Sequence, residues 1–338
     1  MSLKELCFRF NFFYKLLPVH FLMKLANKSM ILPFYHFVND GENRLTRNLY
    51  QSKTKKQFIE DIQYLKTHFT ALSINDLQLK KHSKNNFRFI LSFDDGLANF
   101  YNVVAPILLE EEVYCINFLN SSFIDNKELF YRYKVNILIE LMLKIKLSET
   151  KKESIIKLLE LKKFNKKDIF KFLRNASIHQ TTTLDTFAEI VEVSFSDFLE
   201  QEKPYMSKNQ ILELKNKGFG FGAHSKNHPR YSQLNLKDQL KETLESLLEI
   251  NDLFSLKNNF FAFPFSDDGV KNEFFEIIVK EKMLTFGSSG LKDDEIETHY
   301  QRIPMEFNTI YSAETIIKGE LIYYILKKLI GKHKTKRK

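Results

Sequence analysis

The 338-residue chain is longer than one average domain but within the range of a single α/β barrel, so its length permits one large core or two modest ones. Hydrophobic residues make up 43% of it and charged residues 28%, which excludes a disordered chain and predicts a globular protein. The formal charge of +9 admits an anionic partner, but lysine is spread along the whole chain, which favours a compositional bias over a nucleic-acid surface.

The cysteines and the apolar segments of the sequence give an expectation for the cellular location of the protein. The two cysteines, Cys7 and Cys115, imply no disulfide framework and suit a reducing compartment. Charged residues interrupt the apolar N-terminal segment, and no uncharged apolar run approaches the roughly 18 residues of a membrane span. We therefore expect a cytoplasmic protein, with peripheral contact at the inner membrane face as an option.

Strand-like and helix-like segments alternate in the first third of the chain. Residues 30–38 resemble a buried strand, and a helix is expected after Thr54, which has capping-box spacing to Gln57. Such alternation predicts a parallel sheet or barrel. The next three segments are a strand, a helix and a strand, at 88–93, 103–111 and 114–119.

The stretch 126–204 breaks this rhythm. Its apolar-periodic segments are all helix-like, so we expect a helical insertion or lid carried on one barrel loop. After it, Ser207 and Gln210 have capping-box spacing, and helices again alternate with strands. The expected helices are 208–217, 236–254 and 271–282, and the expected strands are 218–224, 260–265, 284–289 and 300–305.

We expect a single catalytic domain over 1–338, whose barrel spans about 30–125 and 205–310. The segment 311–338 is expected to be a basic helix and tail, because seven basic residues crowd the last twelve positions behind an apolar run. Such a segment can lie on anionic lipid, or it can be a terminal helix with a frayed, solvated end.

Two groups of polar residues follow expected strands. Asp94 and Asp95 come after one, and His224 and His228 after another, so they should meet where the loops of a parallel α/β fold build the active site. One carboxylate and two imidazoles make a three-ligand site for zinc or a similar divalent ion. The ion would compensate one carboxylate and leave its neighbour free to accept a proton. Pro229 disfavours helix at His228 and predicts a short turn there.

A purely structural interpretation is also open. Asp94 and Asp95 would then cap the helix that follows Gly96, and the two histidines would be ordinary loop residues. Either motif alone would favour that interpretation. The two motifs together, each at a strand end, favour the metal site.

The motifs SFDDG at 92–96 and HSKNH at 224–228 resemble the first two motifs of the polysaccharide deacetylases, the NodB-homology carbohydrate esterases. Those motifs read Ser/Thr-Phe-Asp-Asp-Gly and His-Ser/Thr-x-x-His, and the likeness covers most of residues 30–310. The resemblance implies a distorted (β/α) barrel with fewer than the usual eight units, and hydrolysis of an acetyl group from an amino sugar.

Site residues follow from this resemblance position by position. Asp94 matches the family's general base, while Asp95, His224 and His228 match its metal ligands. The implied cofactor is a divalent metal, with zinc as our expectation. Ser225 fills the Ser/Thr position, where we expect it to fix a ligand by hydrogen bonding.

The third family motif, Arg-x-Pro-Tyr/Phe, is only partly kept in AFPF at 262–265. Phe265 matches its last residue, whose backbone N–H the resemblance assigns to the oxyanion. The arginine that holds the base is Ala262 in this chain. We hypothesise that Arg302, on the expected last strand, reaches Asp94 from the other side of the barrel as a catalytic residue.

The last two family motifs are not kept. The fourth motif's tryptophan is absent because the chain has none, and we expect Phe286 to fill that wall. No Leu-x-His triplet, the source of the catalytic acid, occurs near the end of the barrel. His299 is the nearest histidine and our candidate acid, with Asp267 and Asp268 as alternatives. His36, at the end of the first strand, faces the right direction to line the pocket.

These features predict a metal-dependent hydrolase that removes acetyl groups from N-acetylated amino sugars of a cell-surface polysaccharide or its precursor. Two alternatives stay open: a related deformylase or O-acetyl esterase, and a catalytically silent glycan-binding protein, suggested by the missing arginine and histidine. The expected partner is a carbohydrate and no nucleic acid, with membrane contact through the basic C-terminus as an option. The oligomeric state stays open.

Overall fold

A computed structural model describes residues 3–9, 12–41, 52–78, 86–306 and 310–337. The strands are β1 (Met30–Ile31), β2 (Pro33–Tyr35), β3 (Thr70–Ala71), β4 (Arg88–Phe89), β5 (Leu91–Phe93), β6 (Cys115–Leu119), β7 (Gly220–Ala223), β8 (Phe260–Ala262), β9 (Leu284–Gly287), β10 (Asp293–Asp294), β11 (His299–Gln301), β12 (Ile303–Pro304) and β13 (Lys334–Thr335).

The helices follow the same chain order. They are α1 (Leu3–Arg9), α2 (Phe12–Lys15), α3 (Val19–Ala26), α4 (Lys55–His68), α5 (Ile74–Gln78), α6 (Ala105–Glu110), α7 (Tyr131–Lys144), α8 (Glu149–Leu158), α9 (Lys166–Asn175), α10 (Thr181–Ile190), α11 (Phe195–Glu202), α12 (Lys208–Asn216), α13 (Leu236–Phe254), α14 (Asn272–Lys280) and α15 (Ala313–Leu329).

Eight parallel strand segments form a nearly closed barrel in the order β11, β9, β8, β7, β6, β5, β2, β12. The segments β11 and β12 follow each other in the chain across Arg302; the first pairs with β9 and the second with β2. One pass of the chain therefore joins both edges of the sheet. The prediction of a distorted barrel with fewer than eight complete units is confirmed.

The barrel strands are buried on both faces, as parallel strands covered by helices are. Every residue of β5 and β6 is buried, which explains why their sequences are mostly apolar, with Ser92 and Asn117 as the polar exceptions. In β7, a Cβ on Gly222 would lie 2.8 Å from the Phe118 ring and 2.9 Å from the carbonyl oxygen of Phe260. Glycine at this position therefore lets neighbouring strands and the side chains inside the barrel pack closely.

The two predicted capping boxes are confirmed. Thr54 Oγ1 accepts a hydrogen bond from the Gln57 backbone N–H, and the Gln57 side chain accepts one from the Thr54 N–H. The same reciprocal bonds join Ser207 and Gln210 at the start of α12. Each box satisfies backbone donors that the first turn of a helix leaves unpaired.

The stretch 126–204, all of it described, contains α7 to α11 and no strand, as predicted. It has an apolar cluster of its own, with buried Leu138, Leu173 and Phe187. That cluster also includes Phe37 and Leu97 from the barrel, so the insertion packs on the barrel rather than standing apart from it. Its role as a lid stays a prediction.

The C-terminal tail is packed against the barrel. After α15, strand β13 pairs in parallel with β10, and Arg337 is buried. Residues 334–337 are therefore held by strand pairing and by the buried Arg337 rather than frayed, while Lys334 and Lys336 are solvent-exposed. Within the described ranges, no helix has both the length and the apolar character needed to cross a bilayer.

Candidate active site

A cavity of about 300 Å³ opens where the barrel strands end. Polar and aromatic side chains from the loops after five strands line it, as expected for the carboxyl end of a parallel barrel. The insertion contributes Phe130 and Arg132 to the same wall. The lining residues that follow β2, β5, β7, β8 and β9 include, in that order, His36, Asp94, His228, Phe265 and Ser288.

The three predicted metal ligands lie together. One ligand atom each from Asp95, His224 and His228 falls within 4.8 Å of the other two. Asp95 Oδ1 lies 3.1 Å from His228 Nε2 and 3.5 Å from His224 Nε2, and it accepts no hydrogen bond from the described residues. A buried carboxylate oxygen facing two imidazole nitrogens fits a divalent cation.

The protonation of these ligands also fits a metal. His224 Nδ1 lies 2.8 Å from the carbonyl oxygen of Ala262, which only accepts, so Nδ1 carries the proton and Nε2 keeps its lone pair toward Asp95. Burial lowers the pKa of His228 against the opposing charge of Asp95, which favours the neutral imidazole that binds metals.

Asp94 is held by Arg302, the contact that we hypothesised. Both atom pairs of this bidentate ion pair are 2.7 Å apart, and both side chains are buried. Burial alone would raise the pKa of Asp94, but the charge and hydrogen bonds of Arg302 lower it below its usual value. Asp94 is therefore a carboxylate at neutral pH and able to accept a proton. The effect of Arg302 on turnover stays a prediction.

The break between β11 and β12 sets the position of Arg302. Its backbone N–H donates to Gly287 O on one side, and the next N–H, of Ile303, donates to Leu32 O on the other. Inside the barrel, Nε donates to Gly287 O and Nη1 to Ser92 Oγ, each over 3.1 Å. The guanidinium also lies 4.3 Å from the centre of the Phe34 ring. These contacts fix the guanidinium group, whose two N–H donors orient the carboxylate of Asp94.

Four residues at the cavity adopt the left-handed backbone region without being glycine: Asp95, Ser225, His228 and Phe265, with φ of 75°, 65°, 54° and 57°. Each such residue costs about 1 kcal/mol or more. Their concentration here indicates that the geometry of the site, rather than local preference, selects the backbone. Ser225 Oγ accepts a hydrogen bond from the His228 N–H over 3.0 Å, which helps to hold this loop, as expected for Ser225.

Phe265 lies beside the metal ligands. Its ring centre is 4.6 Å from that of His228, and its carbonyl oxygen accepts a hydrogen bond from Ser288 Oγ. Among the described residues, its backbone N–H has no acceptor. The predicted role of that N–H, binding an oxyanion, agrees with this position and stays a prediction.

The structure does not bring His299 to the cavity. Tyr300 stacks on Phe286 inside the barrel, and His299 faces the opposite way, toward Phe275 of α14. His299 Nε2 lies 3.1 Å from Asp267 Oδ2. It belongs to a buried group that we call the outer cluster: Asp267, Asp294, His299 and Arg337.

This location corrects the choice of His299 as catalytic acid, because the outer cluster does not line the cavity. The alternatives fail for the same reason: Asp267 is part of the cluster, and Asp268 is exposed and absent from the lining. The prediction that Phe286 forms a wall of the site is also wrong, because Phe286 packs between Phe118 and Tyr300 inside the barrel. Phe130, Phe263 and Phe265 form the aromatic wall instead.

His36 is the histidine of the cavity lining that is not among the predicted metal ligands. It lines the cavity, and its Nδ1 lies 2.8 Å from Glu306 Oε2. Burial lowers the pKa of His36, but the hydrogen bond and charge of Glu306, with the charges of Asp95 and Asp94, raise it to about 9. The protonated imidazole can donate a proton at the cavity.

Glu306 was missed by the sequence analysis. Its carboxylate also accepts the backbone N–H groups of His36 and Phe37, over 2.9 and 2.8 Å. It follows β12, which pairs with β2, so the rule that found Asp94 and Asp95, namely polar residues after neighbouring strands, also applies to it.

The polysaccharide deacetylase family matches residues 81–280, more than half of the chain. This chain belongs to the polysaccharide deacetylase family. The matched range contains Asp94, Asp95, His224 and His228, and it ends before Arg302. Membership in the family makes the chain a polysaccharide deacetylase-like hydrolase. No curated protein matches the chain.

Solved structures of deacetylases share the fold. The Streptococcus pyogenes deacetylase PplD, in complex with acetate, is 14% identical with a TM-score of 0.55, covering 86% of this chain and 97% of that one. A de-N-acetylase from Aggregatibacter actinomycetemcomitans is 15% identical with a TM-score of 0.52, covering 83% and 98%. The polysaccharide deacetylase BC0361 from Bacillus cereus is 11% identical with a TM-score of 0.54, covering 86% and 68%.

Proposed function

We propose that this deacetylase is metal-dependent and hydrolyses the acetamido group of an N-acetylated amino sugar, in a cell-surface polysaccharide or its precursor. One observation carries the proposal: the carboxylate of Asp94, ionised by Arg302, lies at the cavity beside a carboxylate and two imidazoles suited to a divalent ion. We call the group formed by Asp94, Asp95, His224, His228 and Arg302 the cavity cluster.

Asp95, His224 and His228 would hold the metal, for which zinc is our expectation. A divalent ion bound there supplies Lewis acidity, which polarises the acetamido carbonyl and acidifies the attacking water. Asp95 is suited to this task because, although burial would raise its pKa, the two neighbouring imidazoles hold that pKa well below the usual value, so the carboxylate is available to a cation.

The protein residues carry the proton transfers. Asp94 accepts a proton from the attacking water, and Arg302 keeps the carboxylate oriented. The Phe265 N–H stabilises the tetrahedral oxyanion. His36, held by Glu306, protonates the nitrogen as the carbon–nitrogen bond breaks, so that acetate and a free amine leave.

The competing functions predict different assay results. We expect acetate release from N-acetylglucosamine oligomers that a chelator stops and added metal restores. Release of formate, or of acetate only from O-acetyl esters, would favour a related hydrolase. Binding of oligomers without turnover would favour a silent glycan-binding protein. The reasons for that last option were the missing arginine and acid; in this chain Arg302 contacts Asp94, and His36 lines the cavity.

A cytoplasmic location with peripheral membrane contact is also proposed here. Support comes from the end of α15, where the side chains of Leu326, Leu329 and Ile330 are exposed in the same stretch as Lys327 and Lys328. Apolar side chains among lysines suit an anionic lipid surface. Co-sedimentation with phosphatidylglycerol vesicles, but not with phosphatidylcholine vesicles, is the expected result.

A further inference from the structure

Two arginines at the cavity are not used by the proposed reaction. Arg132 belongs to α7 of the insertion, and Arg230 to the loop after β7; both line the cavity. Among the residues that the structure describes, neither guanidinium has a carboxylate within ion-pair distance. Arg302 differs from them, because it is fully engaged with Asp94.

Both side chains are positioned by neutral groups. Arg132 Nη1 donates a hydrogen bond to the carbonyl oxygen of Arg174 over 2.9 Å. The Arg230 guanidinium lies 4.3 Å from the centre of the Phe265 ring, and that ring is 4.6 Å from the imidazole of His228. Arg230 is therefore one aromatic ring away from a predicted metal ligand, with its charge uncompensated by a carboxylate.

The two guanidiniums act on each other. Burial lowers the pKa of Arg132; the nearby Tyr131 opposes this, and the positive charge of Arg230 lowers the pKa further. The two carboxylates that line the cavity are Asp94 and Asp95, and each already has cationic or imidazole neighbours. An anion placed between the two arginines would relieve their repulsion.

We propose that Arg132 and Arg230 form an anion-binding subsite at the cavity, and that the substrate carries a carboxylate or a phosphate close to its acetylated sugar. Guanidinium groups bind both kinds of oxyanion through paired hydrogen bonds. The inference rests on the proposed function, which places the acetamido group at the cavity cluster. It names an anionic glycan, with uronic acid or phosphate groups, rather than a neutral homopolymer.

Matched probes test this charge requirement. A hyaluronan tetrasaccharide and chitotetraose both contain N-acetylglucosamine, but only the first carries uronates. N-acetylglucosamine 1-phosphate and the methyl glycoside of N-acetylglucosamine differ in the same way for phosphate. We expect the anionic member of at least one pair to have a lower KM and a lower Kd, by about 10-fold for each guanidinium engaged. The pair that shows this preference identifies the source of the anion.

Variants assign the preference to these residues. Arg132→Gln with Arg230→Gln should abolish the ratio of anionic to neutral kcat/KM, and the two Arg→Lys changes should restore part of it. Arg9→Gln is the matched control, since Arg9 is an exposed arginine of α1 that does not line the cavity. The control should keep the wild-type ratio.

Failure of the inference can be told apart from failure of the function. Acetate release without any preference for an anionic probe, or a preference that survives in the double glutamine variant, overturns the subsite. If no probe is hydrolysed but the anionic probe still binds more tightly, and the double variant loses that difference, the subsite stands and the proposed reaction falls. Equal binding of the anionic and neutral probes also overturns the subsite.

Discussion

The cavity cluster and the outer cluster contain the same kinds of groups and differ in how their charges are paired. Each has two aspartates, at least one histidine and one arginine, and each contains three groups that could hold a cation. In the outer cluster, Arg337 Nη2 lies 2.6 Å from both Asp267 and Asp294. In the cavity cluster, the arginine pairs with Asp94 alone and leaves Asp95 to the two imidazoles.

This difference separates a structural role from a functional one. In the outer cluster, the guanidinium of Arg337 contacts both carboxylates, and none of the cluster's residues lines the cavity. In the cavity cluster, Asp95 has no guanidinium partner, and the cluster borders a space that a substrate can enter. Residue types alone therefore do not identify a metal site; the pairing of each carboxylate does.

Among the variants that keep the metal, Asp94→Asn should have the largest effect on catalysis. Removing the base should lower kcat by about 10³-fold while metal content stays at the wild-type level, because the ligand set is untouched. Elemental analysis and acetate release on the same preparation check this. Loss of metal from the variant would mean that the roles of Asp94 and Asp95 are wrongly divided.

Arg302→Met should come next. The change leaves Asp94 buried and unpaired, so it should cost about 3 kcal/mol or more in the free energy of unfolding and lower kcat by about 10²-fold or more. Metal content should be unaffected. Urea denaturation identifies conditions where the variant is folded, and turnover is measured there. Wild-type turnover in the folded variant would refute the positioning role, and Arg302→Lys should recover part of the activity.

Glu306→Gln should change the pH profile. His36 must be protonated to donate its proton, so kcat/KM should fall as pH rises through the pKa of His36, which Glu306 helps to raise to about 9. Losing that negative charge lowers the pKa toward its ordinary value of about 6.5, so the alkaline limb should move to lower pH. Wild type and variant are compared with the same metal. An unmoved limb would exclude His36 as the group that titrates.

Changes in the outer cluster should have the smallest effect on catalysis. His299→Gln should leave kcat and metal content within about twofold of wild type. His299 is buried away from the cavity, so its replacement should affect stability rather than turnover. Arg337→Met should lower the free energy of unfolding by about 3 kcal/mol because it leaves two carboxylates without their cation. A loss of turnover in folded His299→Gln would restore His299 as a catalytic candidate and remove the distinction between the clusters.

The sequence correctly predicted the site residues that come soon after individual strands. Asp94, Asp95, His224 and His228 follow strands directly, so their meeting at one edge of the barrel follows from the fold. Arg302 was predicted from a role that Ala262 leaves empty, and its contact with Asp94 is present. The positions of the two aspartates and two histidines needed only the order of strands and helices, whereas Arg302 needed the comparison with the family motif.

The features that were missed, namely Glu306, its pairing with His36 and the insertion residues at the cavity, depend on contacts between distant segments. His36 and Glu306 are 270 positions apart, and only closure of the barrel by β12 against β2 brings them together. Phe130 and Arg132 reach the cavity because the insertion packs on the barrel, which helical periodicity does not reveal. His299 was misassigned because the face of a short last strand is set by its pairing with β9.

Metal content and acetate release, measured together on wild type, Asp95→Asn and His299→Gln, test the central distinction most directly. Wild type and His299→Gln should each bind a stoichiometric divalent ion and release acetate from an N-acetylated oligomer, while Asp95→Asn should do neither. Equal metal binding and acetate release by all three proteins would contradict the assignment of the metal to the cavity cluster.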